Sequence, residues 1–141
     1  MIIVIDTNAI ISAMIKEGLS RELILNKFFD FITPSFTISE ITKYKQEICK
    51  KSGISYLDFE VLLERLFKHI RIINIVHYRD KLALARGLIE DIDDVPFLAC
   101  ALYFDCPVWS DDKHFKKQNV VKILTSKEMS ELIDKDKYFS R

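Results

Sequence analysis

Four carboxylates stand where side chains of this 141-residue chain could act together on a substrate. Asp6 closes the apolar run Ile2-Ile3-Val4-Ile5, and Asp112 follows Pro107-Val108-Trp109-Ser110, so each lies just past an expected strand. Glu40 and Asp94 each fall in the first turn of an expected helix. In a parallel sheet with right-handed crossovers, the carboxyl ends of strands and the starts of the helices that follow share one edge, so all four can meet. Carboxylates crowded within a few ångströms repel one another and take up protons unless a divalent cation neutralises them. Hard oxygen ligands of this kind select Mg²⁺ or Mn²⁺, which retain water and commonly bridge to phosphate. The chemistry that follows is attack of an activated water on a phosphodiester, with the same or a second ion stabilising the leaving oxygen.

Each acid can also be accounted for by structure alone. Glu40 ends Thr37-Ile38-Ser39-Glu40, which has the spacing of a capping box. Asp93 or Asp94 suits the cap of a helix with Pro96 in its first turn, and Asp111-Asp112 suits a turn. Asp6 is the hardest to account for in this way, because an anion beside a hydrophobic strand is costly unless a cation or donors satisfy it. Four independent capping accidents are less probable than one shared site. The two roles are also compatible, since a helix amino terminus stabilises a carboxylate.

The elements that must position these acids alternate along the chain. After the first strand come a short helix over Ala9 to Ile15, ending near Gly18, and a second from Ser20. An aromatic strand, Phe28 to Thr33, is stopped by Pro34. A helix then runs from Thr37 through about Lys51 to Gly53, and the next, from Ser55, keeps Leu57, Val61, Leu62 and Phe67 at helical spacing. A third strand spans Ile70 to Ile75, followed by a helix over about Arg79 to Glu90. Phe97 to Phe104 is a buried helix capped by one of the aspartates. Val120 to Leu124 is the last strand, Ser126 to about Ile133 the last helix, and Asp134 to Arg141 a solvated end. Strands separated by helices throughout predict an α/β fold with a mostly parallel sheet.

Composition sets the frame. Apolar residues make up 49% of the chain, and with only three glycines and three prolines neither a linker nor long disorder is indicated, so residues 1–141 read as a single domain. No apolar run approaches the roughly 18 residues of a spanning helix, and the first residues enter a strand rather than a leader; the expectation is a cytoplasmic protein with no membrane contact. Cys49, Cys100 and Cys106 are odd in number and form no C-x-x-C, so buried free thiols are expected. Formal net charge is zero, with 21 basic and 21 acidic residues, which argues against a strongly basic nucleic-acid binder. If several acids converge on a metal, however, the remaining surface is net positive, and Lys43/Lys45, Lys50/Lys51, Lys68/His69/Arg71 and Lys113/His114/Lys116/Lys117 supply that charge. Taken singly, each of these clusters reads as a solvated face.

Four segments, in order, resemble the motifs of the PIN domain family. They are Ile-Val-Ile-Asp-Thr-Asn at positions 3–8; Ser39-Glu40-Ile41; Asp91-x-Asp93-Asp94-Val95-Pro96-Phe97-Leu98-Ala99-x-Ala101; and Val108-x-Ser110-x-Asp112-Lys113-His114-Phe115. The resemblance covers residues 3 to about 115, with a closing strand and helix over about 120–133 in the expected order. It implies a three-layer α/β/α fold around a mostly parallel central sheet of about five strands. It also implies Mg²⁺- or Mn²⁺-dependent cleavage of single-stranded RNA. Similar proteins include the toxin half of VapBC-type toxin–antitoxin pairs and RNA-processing or decay factors, so an antitoxin protein and a homodimer are the partners implied.

Carried over residue by residue, Asp6, Glu40, Asp94 and Asp112 match the family's metal-binding acids. The resemblance makes Asp6 and Asp94 the principal ligands, directly or through water, with Glu40 and Asp112 completing the charge and orienting the attacking water. Asn8 matches a polar position beside the first acid, and Ser110 one suited to hydrogen-bonding a carboxylate or a metal-held water. Asp111 stands where the family usually has a small residue, which leaves it as the alternative to Asp112. Asp94 is chosen by its offset to Phe97-Leu98-Ala99, with Asp91 and Asp93 as alternatives or supporting acids.

The same residues admit competing readings. A haloacid-dehalogenase-type phosphotransfer enzyme also begins with a strand ending in aspartate but wants an acid two residues on, where this chain has Asn8. A receiver domain would want acidic neighbours before its strand aspartate and a later strand lysine, neither of which is evident. The serious alternative is a non-catalytic PIN-like nucleic-acid-binding or scaffold module, against which the presence of all four acids argues. Ile15, Leu19 and Phe59 are apolar residues that could serve a dimer, and each is equally well explained as core.

Overall fold

In a computed structural model, which describes residues 1–139, the chain runs β1 (Ile2–Ile5), α1 (Thr7–Ile15), α2 (Leu19–Leu25), β2 (Asp30–Pro34), α3 (Phe36–Lys43), α4 (Lys45–Ser52), α5 (Tyr56–Phe67), β3 (Ile70–Ile73), α6 (Ile75–Tyr78), α7 (Leu82–Leu88), α8 (Val95–Phe104), β4 (Val108–Trp109), β5 (Ile123–Leu124) and α9 (Ser126–Phe139). Short 3-10 turns occupy Arg79–Lys81, Ile92–Asp94 and Lys113–Lys117. The strands form one sheet in the order β3-β2-β1-β4-β5, every pair parallel. Ile3, Val4 and Ile5 are fully buried, as a central strand covered on both faces requires.

Period-two alternation divides the core into two layers. Ile3, Ile5, Phe31, Trp109 and Leu124 face one way, onto α1, α2, α4, α5 and α9. Val4, Ile32, Val108 and Ile123 face the other, onto α7, α8 and Phe115. The result is a three-layer α/β/α fold. Strands are added on one side of β1 as β2 and β3 and on the other as β4 and β5, so the order reverses at β1/β4, and a crevice opens at their carboxyl ends.

Several local expectations are corrected. The single helix expected over Thr37 to Lys51 breaks at Tyr44 (φ −99°, ψ 10°) into α3 and α4. The capping box does not form: α3 starts at Phe36, so Thr37 lies inside it and its hydroxyl pairs with Thr33 Oγ1 at 2.7 Å. Pro34 is the last residue of β2 rather than its stop; paired residues with β1 end at Ile32, so one neighbour has already left where proline sits. The helix expected over Arg79 to Glu90 is a 3-10 turn followed by the shorter α7. The last strand shrinks to Ile123–Leu124 because Gln118 holds the preceding backbone: its Oε1 accepts from the N–H groups of Val120 (3.0 Å) and Val121 (2.8 Å). Helix α9 runs past its expected end near Ile133 to Phe139, while Asp134 to Lys137 are exposed, as expected of a solvated end; Ser140 and Arg141 lie outside the described residues.

On α5 half of the expected apolar stripe turns inward: Leu62 and Phe67 pack against the core, whereas Leu57 and Val61 are exposed. Ser55 caps the helix, accepting from the Asp58 N–H at 3.1 Å, and Phe59 and Leu66 turn inward while Leu57 is 73% exposed. Phe59 is therefore core and not a surface for a second copy; Ile15 packs partly buried against the same core, and Leu19 is exposed. Phe59→Ala is expected to destabilise the protein by about 3–5 kcal/mol, the usual cost of removing a buried aromatic ring, read from a urea-unfolding midpoint. A loss below about 1 kcal/mol would place Phe59 in a region that collapses freely around the cavity. All three cysteines are free thiols, Cys49 and Cys100 buried. Among the described residues no helix is long and apolar enough to cross a membrane.

Candidate functional site

The crevice at the β1/β4 carboxyl ends is a cleft of about 310 Å³ whose lining includes Asp6, Glu40, Asp91, Asp93, Asp94 and Asp112. Asp6 follows β1 directly and is 5% exposed. Its Oδ2 accepts from Ser110 Oγ at 2.8 Å; at the cap position of α1 it makes no side-chain capping bond, although the nearby Asn8 N–H favours its charged form. The Ser110 oxygen in turn accepts from the Asp112 N–H at 3.0 Å, so one hydroxyl ties the ends of β1 and β4 together. Glu40, on α3, takes a 2.7 Å hydrogen bond from Thr7 Oγ1 on its Oε1. Thr7, Thr33 and Thr37 form a buried hydroxyl cluster beneath it, anchored by Thr33 Oγ1 donating to the Ile5 carbonyl at 3.1 Å.

Asp94 differs from the others. It occupies the cap position of α8 but makes no side-chain capping bond, and its Oδ2 is buried without a hydrogen-bond partner. A buried acceptor left bare is costly, and four other acids make this one costlier. Burial first, then Asp91, Asp6, Asp112 and Glu40, push the Asp94 carboxyl up to about 7. Asp6 is pushed up to about 6, chiefly by burial and secondarily by Glu40 and Asp112, against the lowering effect of Ser110 and the Asn8 N–H. Glu40 is raised too, by burial above all, with Asp93 and Asp91 adding to it while Thr7 and Lys43 oppose.

The neighbouring acids separate by what holds them. Asp111 turns away from the cleft to α9, its Oδ1 accepting from the Ser126 N–H (2.7 Å) and its Oδ2 from Ser126 Oγ (2.6 Å). Asp112 lines the cleft, and its Oδ1 accepts from the His114 N–H at 2.9 Å and stands 3.0 Å from His114 Nδ1. Asp91 caps the 92–94 turn through the Asp93 N–H at 2.9 Å; Asp93 is exposed. Thr7 is the site residue that sequence reasoning misses; the signal available is a hydroxyl between Asp6 and Asn8, at a helix start. Among the described residues no three Asp, Glu, His or Cys side chains already close around one point. An all-oxygen, partly open set of this kind matches a cation that keeps several waters and takes few protein ligands, as Mg²⁺ does. The bare Asp94 Oδ2 is the atom most in need of one.

A parallel five-stranded α/β/α sandwich with its acids gathered at the strand-order switch defines a class of small α/β proteins built around a carboxylate cleft. Within that class the chain belongs to the PIN domain family, whose model matches residues 4–134. Three solved structures share the fold. VapBC2 from Rickettsia felis bound to a DNA fragment from their promoter is 17% identical, with 89% of this chain and 98% of that chain covered and a TM-score of 0.65. A toxin–antitoxin complex from Klebsiella pneumoniae is 15% identical over 88% of this chain and 97% of that one, TM-score 0.65. FitAcB from Neisseria gonorrhoeae is 18% identical over 89% and 98%, TM-score 0.66. At these identities the likeness is one of fold. No curated protein matches the chain.

Proposed function

We propose that this protein is a divalent-metal-dependent endoribonuclease that hydrolyses phosphodiester bonds of single-stranded RNA in the carboxylate cleft, acting in the cytoplasm as the toxin of a toxin–antitoxin pair. The observation that carries the chemistry is Asp94 Oδ2, a buried acceptor with no partner, surrounded by further acids that raise its proton affinity. The toxin role and an antitoxin protein as partner draw support from the family and from the toxin–antitoxin complex that shares its fold.

Asp6, Glu40, Asp94 and Asp112 are the residues that would hold Mg²⁺ or Mn²⁺. When bound, such an ion neutralises phosphate charge and lowers the pKa of a water for attack. Ser110 holds Asp6 in one orientation, so that it meets its ligand without reorganising. Thr7 does the same for Glu40, which also lines the cleft and in this reading orients the attacking water. Asp112 is braced by the His114 N–H, and Asp94 offers its unpaired oxygen.

The test is cleavage of a labelled single-stranded RNA in Mg²⁺ or Mn²⁺ and in chelator, for wild type and Asp94→Asn. Metal-dependent cutting that the folded variant lacks supports the reading. A wild type that metal stabilises against heat but that cuts no RNA would retain the cation site and sink the ribonuclease assignment. If metal neither binds nor supports cutting, the chain is a non-cleaving PIN-like module.

Ser110→Ala is expected to weaken Mg²⁺ binding about 10- to 100-fold, the usual effect of removing a group that orients a ligand. The loss leaves a 5%-exposed carboxylate without its side-chain donor. Titration calorimetry reads it, and unchanged affinity would mean that Asp6 does not need Ser110 to meet the ion.

A further inference from the structure

An RNA substrate brings one phosphate per nucleotide, so the phosphates flanking the one that is cut also need cations. The cleft does not supply them: Lys51 is the one lysine or arginine among the described residues that line it. Beside it, between the end of α7 and the Lys113–Lys117 turn, lies a larger cavity of about 810 Å³. Arg86, His114 and Lys117 are on its wall, and Ile89 and Val95, 8% and 6% exposed, give it an apolar floor. The two spaces adjoin. Asp91 lines both, and His114 of the larger cavity is held by Asp112 of the cleft through the 3.0 Å Nδ1–Oδ1 contact.

The lining suits one kind of occupant. Two exposed cations and an imidazole suit a phosphate, a buried aliphatic floor suits the face of a base, and the volume lies in the range of small-ligand sites. Acids are present as well: Asp91 is engaged by the Asp93 N–H, and Glu90 is exposed. A second basic cavity, lined by Lys68 and Arg71 at the amino ends of β2 and β3, is on the opposite edge of the sheet and shares no lining residue with the cleft. We infer that the Arg86/His114/Lys117 cavity is a nucleotide subsite that holds the phosphate and base adjoining the scissile phosphate; this rests on the ribonuclease reading of the cleft. Arg86 and Lys117, which do not line the cleft, are then binding and positioning residues, distinct from the acids that do the chemistry.

Fluorescence anisotropy with a labelled single-stranded RNA of about ten nucleotides, within the span such proteins commonly cover, tests this. It is done in Mg²⁺ on the Asp94→Asn background, where cutting is suppressed. Adding Arg86→Ala with Lys117→Ala is expected to weaken binding on the order of tenfold and to reduce the slope of log K against log salt by roughly 0.7, one single-strand phosphate contact. Adding Lys68→Ala with Arg71→Ala instead, a matched loss of charge on the opposite edge, is expected to change neither. In the cleaving protein, the Arg86/Lys117 pair raises KM and leaves kcat alone. Equal losses from both pairs, no loss from either, or no RNA binding at all overturns the subsite. If RNA binds through Arg86 and Lys117 but the wild type never cuts, the subsite stands and the ribonuclease reading falls. If the wild type cuts with a KM indifferent to both residues, the reverse holds.

Discussion

Asp94→Asn is expected to raise the melting temperature of the metal-free protein while lowering RNA cleavage at least about 100-fold, beyond the effect of losing a group that merely orients a ligand. The two effects share one cause. Asp94 Oδ2 is buried without a donor, and Asp91, Asp6, Asp112 and Glu40 all oppose its charge. Asparagine removes the charge and keeps the shape, and at a helix cap it is as acceptable as aspartate. The gain should be about 2–6 °C, the response of a domain of this size to roughly 1 kcal/mol. In the proposed function the same substitution removes an anionic oxygen that holds the cation, so that the cost in stability would be what the site uses. Melting in chelator and cleavage in Mg²⁺ are read on the same preparation. A lower melting temperature would mean that the carboxylate has a stabilising partner, and retained cleavage would remove Asp94 from the site.

The parts of this arrangement that could be read from sequence are those whose cause is local. Ile3, Val4 and Ile5 announce a strand buried on both faces, and an acid directly after it, 5% exposed, carries a desolvation cost that its cap position on α1 does not offset with a side-chain hydrogen bond. Where the cause lies far along the chain, local reading fails. Thr37 and Glu40 have the spacing of a capping box, yet Glu40 pairs with Thr7, 33 residues away, and Thr37 with Thr33. Asp111 and Asp112 are equivalent in sequence; Ser126, 15 residues on, draws one of them off to cap α9. Nothing around Tyr44 marks the break between α3 and α4, since neither glycine nor proline is near. Leu57 and Val61 have helical spacing as good as that of Phe59 and Leu66; which pair is buried depends on how α5 meets α1 and α4. Each miss is tertiary context overriding a valid local signal.

Metal affinity is expected to fall steeply as pH drops below neutrality, and the metal-free protein to gain stability over the same interval. Asp6 and Asp94 have folded pKa values of about 6 and about 7, both above the ordinary 3.8. As pH rises from about 4, the unfolded chain releases these protons first while the folded protein still holds them, so the unfolded state is favoured progressively. The stability present at low pH is therefore lost as pH climbs toward about 7, and beyond that the penalty is constant. A divalent cation reverses the preference, because it binds the deprotonated pair and must displace whatever protons they hold. Affinity should be nearly flat above pH 7, fall about tenfold per unit where one proton is displaced, and approach about 100-fold per unit below pH 6, where two are. Titration calorimetry from pH 5.5 to 8, with melting curves in chelator, reads both limbs. Asp94→Asn should remove one displaced proton and halve the steepest slope. Affinity independent of pH over that range would show that the cation does not bind through Asp6 and Asp94.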